Sequence, residues 1–445
     1  MPKRTETIVI LILLALAIII LTIHCCKTAE SAEFTVVANH GPAGRYCAFP
    51  GACRMADGRI IVVYYNGLGH VTTTDQRDGG GAIACALSED EGDTWSEPQT
   101  LLDTPMDDRD PSISLLRDGR LVLSYFRLVT VPKLAGDGVY VATVEQQRAV
   151  RTLDSRHPVK PTGGGAVPGR LAVQSIRKLQ HDAGCSAPLR DFSDGLLMLG
   201  SYHLDQPYVI RSGDNGKTWQ VFAIPNSGKH LDAETDIIEI VTSSGMSSTH
   251  GTMHPASPEG RAEKISGSER RTSARLQAGG RAENREASIL VQLGNLGPSV
   301  ETRPARLFYA ALRGAKCNGH YSTSIDGKNW TVAADIGFPL HCPQLHRVAV
   351  FSKDPIASPS GALPSEKTGT AILLAHRIPA TAMHYSLDEC KTWQGPIKID
   401  SCGGAYPCFV TLKDGSVLVV YYTEGTDSDI RCRRFTITKE GIAWP

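Results

Sequence analysis

Ser88-Glu89-Asp90-Glu91-Gly92-Asp93-Thr94-Trp95 recurs as Ser212-Gly213-Asp214-Asn215-Gly216-Lys217-Thr218-Trp219, both of the form S-x-D-x-G-x-T-W. Ser386-Leu387-Asp388-Glu389-Cys390-Lys391-Thr392-Trp393 keeps every position but the glycine, and Ser324-Ile325-Asp326-Gly327-Lys328-Asn329-Trp330 is one residue shorter. Four of the five tryptophans in the chain end these boxes, so chance is a poor explanation. The physics is that of a hairpin turn. Ser and Asp oxygens satisfy turn amides, Gly takes the left-handed conformation, and Trp buries against the sheet. The boxes therefore read as structural.

A second pattern runs between them, an Asp-Gly pair followed by an apolar run. It occurs at Asp57-Gly58, Asp118-Gly119, Asp194-Gly195 and Asp414-Gly415, and the runs include Ile60-Ile61-Val62-Val63-Tyr64-Tyr65 and Val417-Leu418-Val419-Val420-Tyr421. Asp-Gly accepts positive φ in a tight turn, and each run has the length and composition of a buried strand. The chain is expected to be all β and built of meanders. Two segments break the repeat, residues 129–175 and 242–305, and both are expected to be inserted loops.

Composition agrees. With 43 glycines and 26 prolines, turn-formers are frequent enough to argue against a long-helix fold. Basic and acidic residues balance at 46 each, so there is no global field for nucleic acid, and any anion site must be built from a few local arginines. Lys3 and Arg4 precede an apolar run over residues 8–23. Residues 1–32 are thus expected to be a signal peptide or membrane anchor, with residues 33–445 exported. Ten of the twelve cysteines lie beyond residue 32, and the chain contains no CxxC pair, which disfavours zinc ribbons and thioredoxin-like chemistry. A mixture of disulfides and buried thiols is expected.

From Arg45 to Phe435 the boxes and Asp-Gly strands resemble the sialidase superfamily, whose Asp-box (BNR) repeats decorate a six-bladed β-propeller. The resemblance implies an exo-glycosidase for terminal sialic acid or a related acidic sugar, acting with retention and without metal or cofactor. Because the anomeric carbon of sialic acid carries a carboxylate, a carboxylate nucleophile would be repelled, and a tyrosine serves instead. A glutamate takes its proton, an aspartate acts as acid and base, and arginines clamp the substrate carboxylate.

On this resemblance Tyr406, in Gly403-Gly404-Ala405-Tyr406-Pro407-Cys408, matches the nucleophile segment. Glu234 opens an apolar strand in matching context, with Asp232 and Asp236 as rivals in the same turn. Arg313 and Arg377 end strands that lead into later boxes and match clamp arginines. Asp75 precedes Ser88 in the first loop, where the acid/base aspartate belongs, with Asp78 as its alternative and His70 as a further polar candidate. Arg109, in Arg109-Asp110-Pro111, is expected at a blade rim as a substrate contact.

One position departs from the pattern: Cys47-Ala48-Phe49-Pro50 places Ala48 where the first clamp arginine stands, and Arg45, Arg54 and Arg109 are the nearby charges. The rival expectation is therefore a non-catalytic propeller that binds glycans or proteins at the cell surface. A glycosidase for a different acidic sugar is a third. The partners expected are a glycan or glycoconjugate, no nucleic acid, and a membrane if the N-terminal segment remains attached.

Overall fold

The computed structural model describes residues 34–70, 80–129, 135–146, 170–229, 231, 234–242, 305–352, 366–378, 380–425 and 428–445. The apolar run at 8–23 lies outside them, as do Asp75, Asp78 and Asp232 and all of the 242–305 insertion except its two end residues, which close strands. The chain divides into residues 1–241 with 306–445, which hold almost all the sheet structure, and residues 242–305.

The described residues are all β, with no α-helix and a single 3-10 turn at Ser193–Gly195. None of them forms a helix long and apolar enough to cross a membrane. Four antiparallel sheets of four strands follow one another along the chain. The first is Tyr46–Arg54, Ile60–Gly67, Ala82–Ser88 and Gln99–Leu102. The second is Asp107–Leu115, Leu121–Val129, Ala135–Gln146 and Leu171–His181, so both ends of the loop expected at 129–175 are in fact strand. The third is Arg190–Asp191, Leu197–His203, Gln206–Ser212 and Gln220–Ala223; the fourth is Thr235–Thr242, Ala305–Leu312, His320–Ser324 and Ala334–Asp335.

A nine-stranded sheet completes the set. It joins the meander Gln344–Phe351, Lys367–His376, Ala382–Ser386 and Gln394–Lys398 to a second one, Gly404–Thr411, Val417–Thr423 and Ile430–Thr438, through one parallel pair, Phe351 with Thr438. The N-terminal strand Thr35–Ala38 adds antiparallel to Ile430–Thr438, with Thr35 opposite Cys432 and Ala38 opposite Ile430.

The apolar runs have no polar alternation because both of their faces are covered. All eight residues of Ile60–Gly67 are buried. Ile60, Val62 and Tyr64 pack with Leu418, Val420 and Tyr422 of the last meander, whereas Ile61 and Val63 pack with Ile113, Leu123 and Tyr125 of the second sheet. The same alternation continues sheet by sheet, through Val122 with Leu199, Met198 with Phe308, Tyr309 with Leu374, and Leu373 with Val419. The sheets therefore form a propeller-like ring, each stabilised by side chains worth roughly 1.5–3 kcal/mol apiece on burial. A cavity of about 630 Å³ on the ring's axis is lined by residues 52–54, 113–115, 188–192, 237–239, 344–347 and 409–411.

The boxes form the turns expected of them. Ser88 Oγ donates to Asp90 Oδ1 (2.9 Å) and accepts from Gly92 N (2.8 Å), and Asp90 accepts from the amide and hydroxyl of Thr94 at 2.9 and 2.5 Å. Ser212, Asp214, Gly216 and Thr218 repeat these bonds. Where the third box lacks glycine, Cys390 takes the left-handed conformation itself (φ 65°). The ten described cysteines are all free thiols, so the disulfides expected among them are absent.

Candidate functional site

The axial ends of the inner strands share a local device that the sequence reading did not isolate. Phe49, Asp110, Cys342 and Tyr406 each precede a proline and each has positive φ, of 54, 44, 48 and 50°. A residue before proline normally sits in the extended region, and a non-glycine residue with positive φ is uncommon, so each position stores strain on the order of 1–3 kcal/mol. Register shifts at Ala48/Gly51, Arg109/Ser112 and Ala405/Cys408 mark three of them as β-bulges. A bulge re-aims the side chain it carries. Close sheet packing makes room for the first: a Cβ on Gly51 would stand 2.6 Å from Ser112 Cα and 2.8 Å from the Pro111 carbonyl.

Tyr406 and Glu234, 172 residues apart, meet through a short hydrogen bond from the phenol to Oε1. Both are buried, at 6% and 2% exposure. The carboxylate is held from two further sides: Arg313 Nη1 lies 2.9 Å from Oε1, and Cys342 N donates to Oε2 at 2.7 Å. Arg313 N also donates to the Glu234 carbonyl at 3.0 Å, pinning the strand ends together. Tyr406 N donates in turn to Cys342 Sγ at 3.4 Å. The Arg377 guanidinium stands 5.6 Å from the Tyr406 ring centre and forms no ion pair among the described residues. Burial raises the phenol pKa well above its usual value, the charge of Glu234 adds to the rise, and Arg377 opposes it. The phenol is therefore held neutral, with its proton directed at the adjoining carboxylate.

No protein-family model matches the sequence, and no curated protein matches it. Solved structures do. A protein of unknown function from Dyadobacter fermentans is similar over 92% of this chain and 99% of its own, with 14% identity and a TM-score of 0.56. A Hadza microbial sialidase is similar over 90% of this chain and 68% of its own, with 13% identity and a TM-score of 0.52. The intramolecular trans-sialidase from Ruminococcus gnavus, solved with oseltamivir carboxylate, is similar over 93% of this chain and 99% of its own, with 12% identity and a TM-score of 0.51. The fold is sialidase-like. At such identities the likeness concerns the fold alone.

In this sialidase-like ring the structure brings Tyr406, Glu234, Arg313 and Arg377 into one cluster. Asp236, the rival of Glu234, is consumed elsewhere, ion-paired to Arg190 and accepting from Leu345 N at 2.7 Å. Arg54 is also spent, on Glu91 at 2.6 Å. Arg109, expected at the rim, is buried: its guanidinium lies between Tyr65 and Phe49, 3.1 Å from Asp107, and donates to the His70 carbonyl at 2.6 Å. It positions the first loop instead of lying open to a ligand. His70 is half-exposed and stands 3.4 Å from Glu424 Oε1.

Asp110 is the acidic residue passed over in favour of its neighbour Arg109. It is 6% exposed, and Oδ2 accepts from Ser186 Oγ at 3.0 Å, while buried Oδ1 has no partner among the described residues. Burial pushes its pKa from 3.8 up to about 7; Arg109 and Arg377 pull it down and Glu234 pushes it up. Phe49 was likewise missed, and its ring packs edge-on against those of Tyr406 (4.9 Å) and Tyr422 (5.3 Å). The available signal was the spacing Pro-x6-Asp-Gly, which occurs at Pro50, Pro111 and Pro407 and marks each bulge.

Proposed function

We propose that this chain is an exo-glycosidase of the sialidase type, hydrolysing terminal sialic acid or a related acidic sugar with retention. The observation that carries the reading is the buried Tyr406–Glu234 pair beside two arginines. Tyr406 attacks the anomeric carbon as its proton moves to Glu234, and the covalent tyrosyl-sugar is then hydrolysed, inverting the centre twice. Arg377 stabilises the developing phenolate and, with Arg313, draws the substrate's anionic group. Asp75 is the loop candidate for protonating the leaving oxygen. The ring counts as six blades if each meander of the nine-stranded sheet is one; six apolar clusters among the described residues, one at each junction between sheets, support that count. The serine–aspartate turns are then its Asp-boxes. The substrate is a glycan of an exported enzyme.

A second reading, a non-catalytic ring that binds glycans, is favoured by Ala48 at the first clamp position and by the prior pairing of Arg313 with Glu234. Tyr406→Phe separates the two. The variant keeps the ring and should cost only about 1–2 kcal/mol of stability, since Glu234 retains Arg313 and Cys342 N as partners. Hydrolysis of a fluorogenic sialoside should fall by roughly three orders of magnitude. Undiminished hydrolysis removes Tyr406 from the reaction, and no hydrolysis of any acidic glycoside by the wild type leaves the binding ring.

A further inference from the structure

The shortened fourth box differs from the others at the residue before its tryptophan. In the other three that residue is a threonine, which caps the aspartate. Thr218 gives its amide to Asp214 Oδ1 at 2.8 Å and its hydroxyl to Oδ2 at 2.6 Å, and Thr392 does the same to Asp388 at 2.9 and 2.6 Å. Asn329 takes that place in the fourth box, giving its amide to Asp326 Oδ1 at 2.8 Å and its carboxamide Nδ2 to Oδ2 at 2.7 Å. A carboxamide nitrogen carries two protons where a hydroxyl carries one. One of them closes the turn, and the second is left over. Asn329 is exposed, whereas Trp330 beside it is buried. With Thr331 next, Asn329-Trp330-Thr331 has the form Asn-x-Thr, the acceptor for N-linked carbohydrate, and no other asparagine in the chain has serine or threonine at that spacing.

We propose that Asn329 is a site of N-glycosylation. This rests on the exported reading of the chain and is independent of what the chain acts on. Nδ2 bonds to the anomeric carbon of an oligosaccharide carried on a lipid diphosphate. The bond from that carbon to the diphosphate oxygen breaks, the diphosphate leaves with the electron pair, and one carboxamide proton goes to a base of the transferring enzyme. The remaining N–H keeps the bond to Asp326 Oδ2, so the turn closes around the modified residue. Transfer precedes that closure, because in the folded chain Thr331 Oγ1 already accepts from Thr323 N at 2.9 Å and the Asn329 carboxamide is held on Asp326. The position also spares the cluster around Tyr406. Leu312, next to Arg313, pairs with His320, whereas Ser324, which opens the box, pairs with Phe308. Four residues of strand, about 14 Å, separate those two ends of the sheet. Ile325 and Val332, 75% and 55% exposed, stand within four residues of Asn329, and a carbohydrate there shelters apolar surface.

The test is expression of the full chain in a eukaryotic secretory host, with peptide masses measured before and after treatment with peptide N-glycosidase. Wild type should carry a single glycan, whose enzymatic removal leaves an aspartate at position 329. Asn329→Thr, which restores the hydroxyl of the other boxes, should lose the glycan completely and melt at the temperature of the deglycosylated wild type. Thr331→Ser, which keeps both the hydroxyl and the acceptor motif, should retain it. A wild-type chain that enters the secretory compartment, folds and carries no glycan overturns the proposal and leaves the exported reading standing, as does a glycan that persists in Asn329→Thr. A folded wild-type chain found unmodified in the cytosol overturns the exported reading, and the site falls with it.

Discussion

Replacing Asp110 by asparagine tests whether the axis of the ring holds a protonated carboxyl. The side chain is 6% exposed, Oδ1 finds no partner among the described residues, and burial moves its pKa from 3.8 to about 7. For an acid whose folded pKa is raised, the sign is fixed by linkage. Below about pH 4 both folded and unfolded chains hold the proton, and wild type and Asp110→Asn differ by a constant. Between about pH 4 and about pH 7 only the unfolded chain releases it, so wild type loses stability relative to the variant at about 1.4 kcal/mol per pH unit. Above about pH 7 both states are ionised and the gap is level, having widened by about 4 kcal/mol in all. That is a large share of the roughly 5–15 kcal/mol typical of a folded domain. Urea unfolding followed by tryptophan fluorescence at each pH from about 4 to about 8 gives the difference directly, and other titrating groups cancel between the two proteins. A stability difference that does not change with pH would refute the reasoning, because it would mean that Arg109 and Arg377 keep Asp110 ionised throughout.

Two further outcomes follow from the packing. Gly51→Ala drives a methyl into the backbone of residues 111 and 112, which cannot yield as a side-chain tip would, and should cost about 3 kcal/mol or more; Gly369→Ala, with nothing within 4 Å, should be near neutral in the same thermal melts. Removing residues 34–39 uncovers the strand edge at Ile430 and Cys432 and should lower the melting temperature, and a synthetic peptide of those residues should restore it; a truncated chain that melts like the full one would show that the edge strand contributes nothing.

The sequence made the turns legible because their hydrogen bonds close within a few residues: Asp90 satisfies Thr94, and Ser88 satisfies Gly92. The apolar runs were legible because strands covered on both faces need no polar alternation. Tyr406, Glu234, Arg313 and Arg377 were singled out through resemblance, and the fold brings the four side chains into one cluster. What escaped was set by long-range geometry. Nothing near residue 342 announces that its amide will hold a carboxylate 108 positions earlier. Phe49 and Asp110 look like an ordinary core residue and a rim acid until the bulges turn both toward the axis. The loop before Ser88 was read for its aspartates, yet what the structure describes there is the His70 carbonyl on Arg109, a bond that no spacing rule encodes.

The pairing of Thr35–Ala38 with Ile430–Thr438 also bears on how the molecule is made. Of these two strands, the one made first waits for nearly 400 further residues before its partner exists. Until then the intervening sheets can assemble one upon another, but the last junction stays open, with Ile60, Val62 and Tyr64 lacking the side chains that cover them from the final meander. A nascent chain of this kind leaves one face of its first sheet uncovered until the final meander is made, and contacts spanning nearly 400 residues are slow to form. Chaperone demand should therefore fall mainly on the N-terminal third, and a circular permutant that begins between the third and fourth sheets would make the present closure an early, local event.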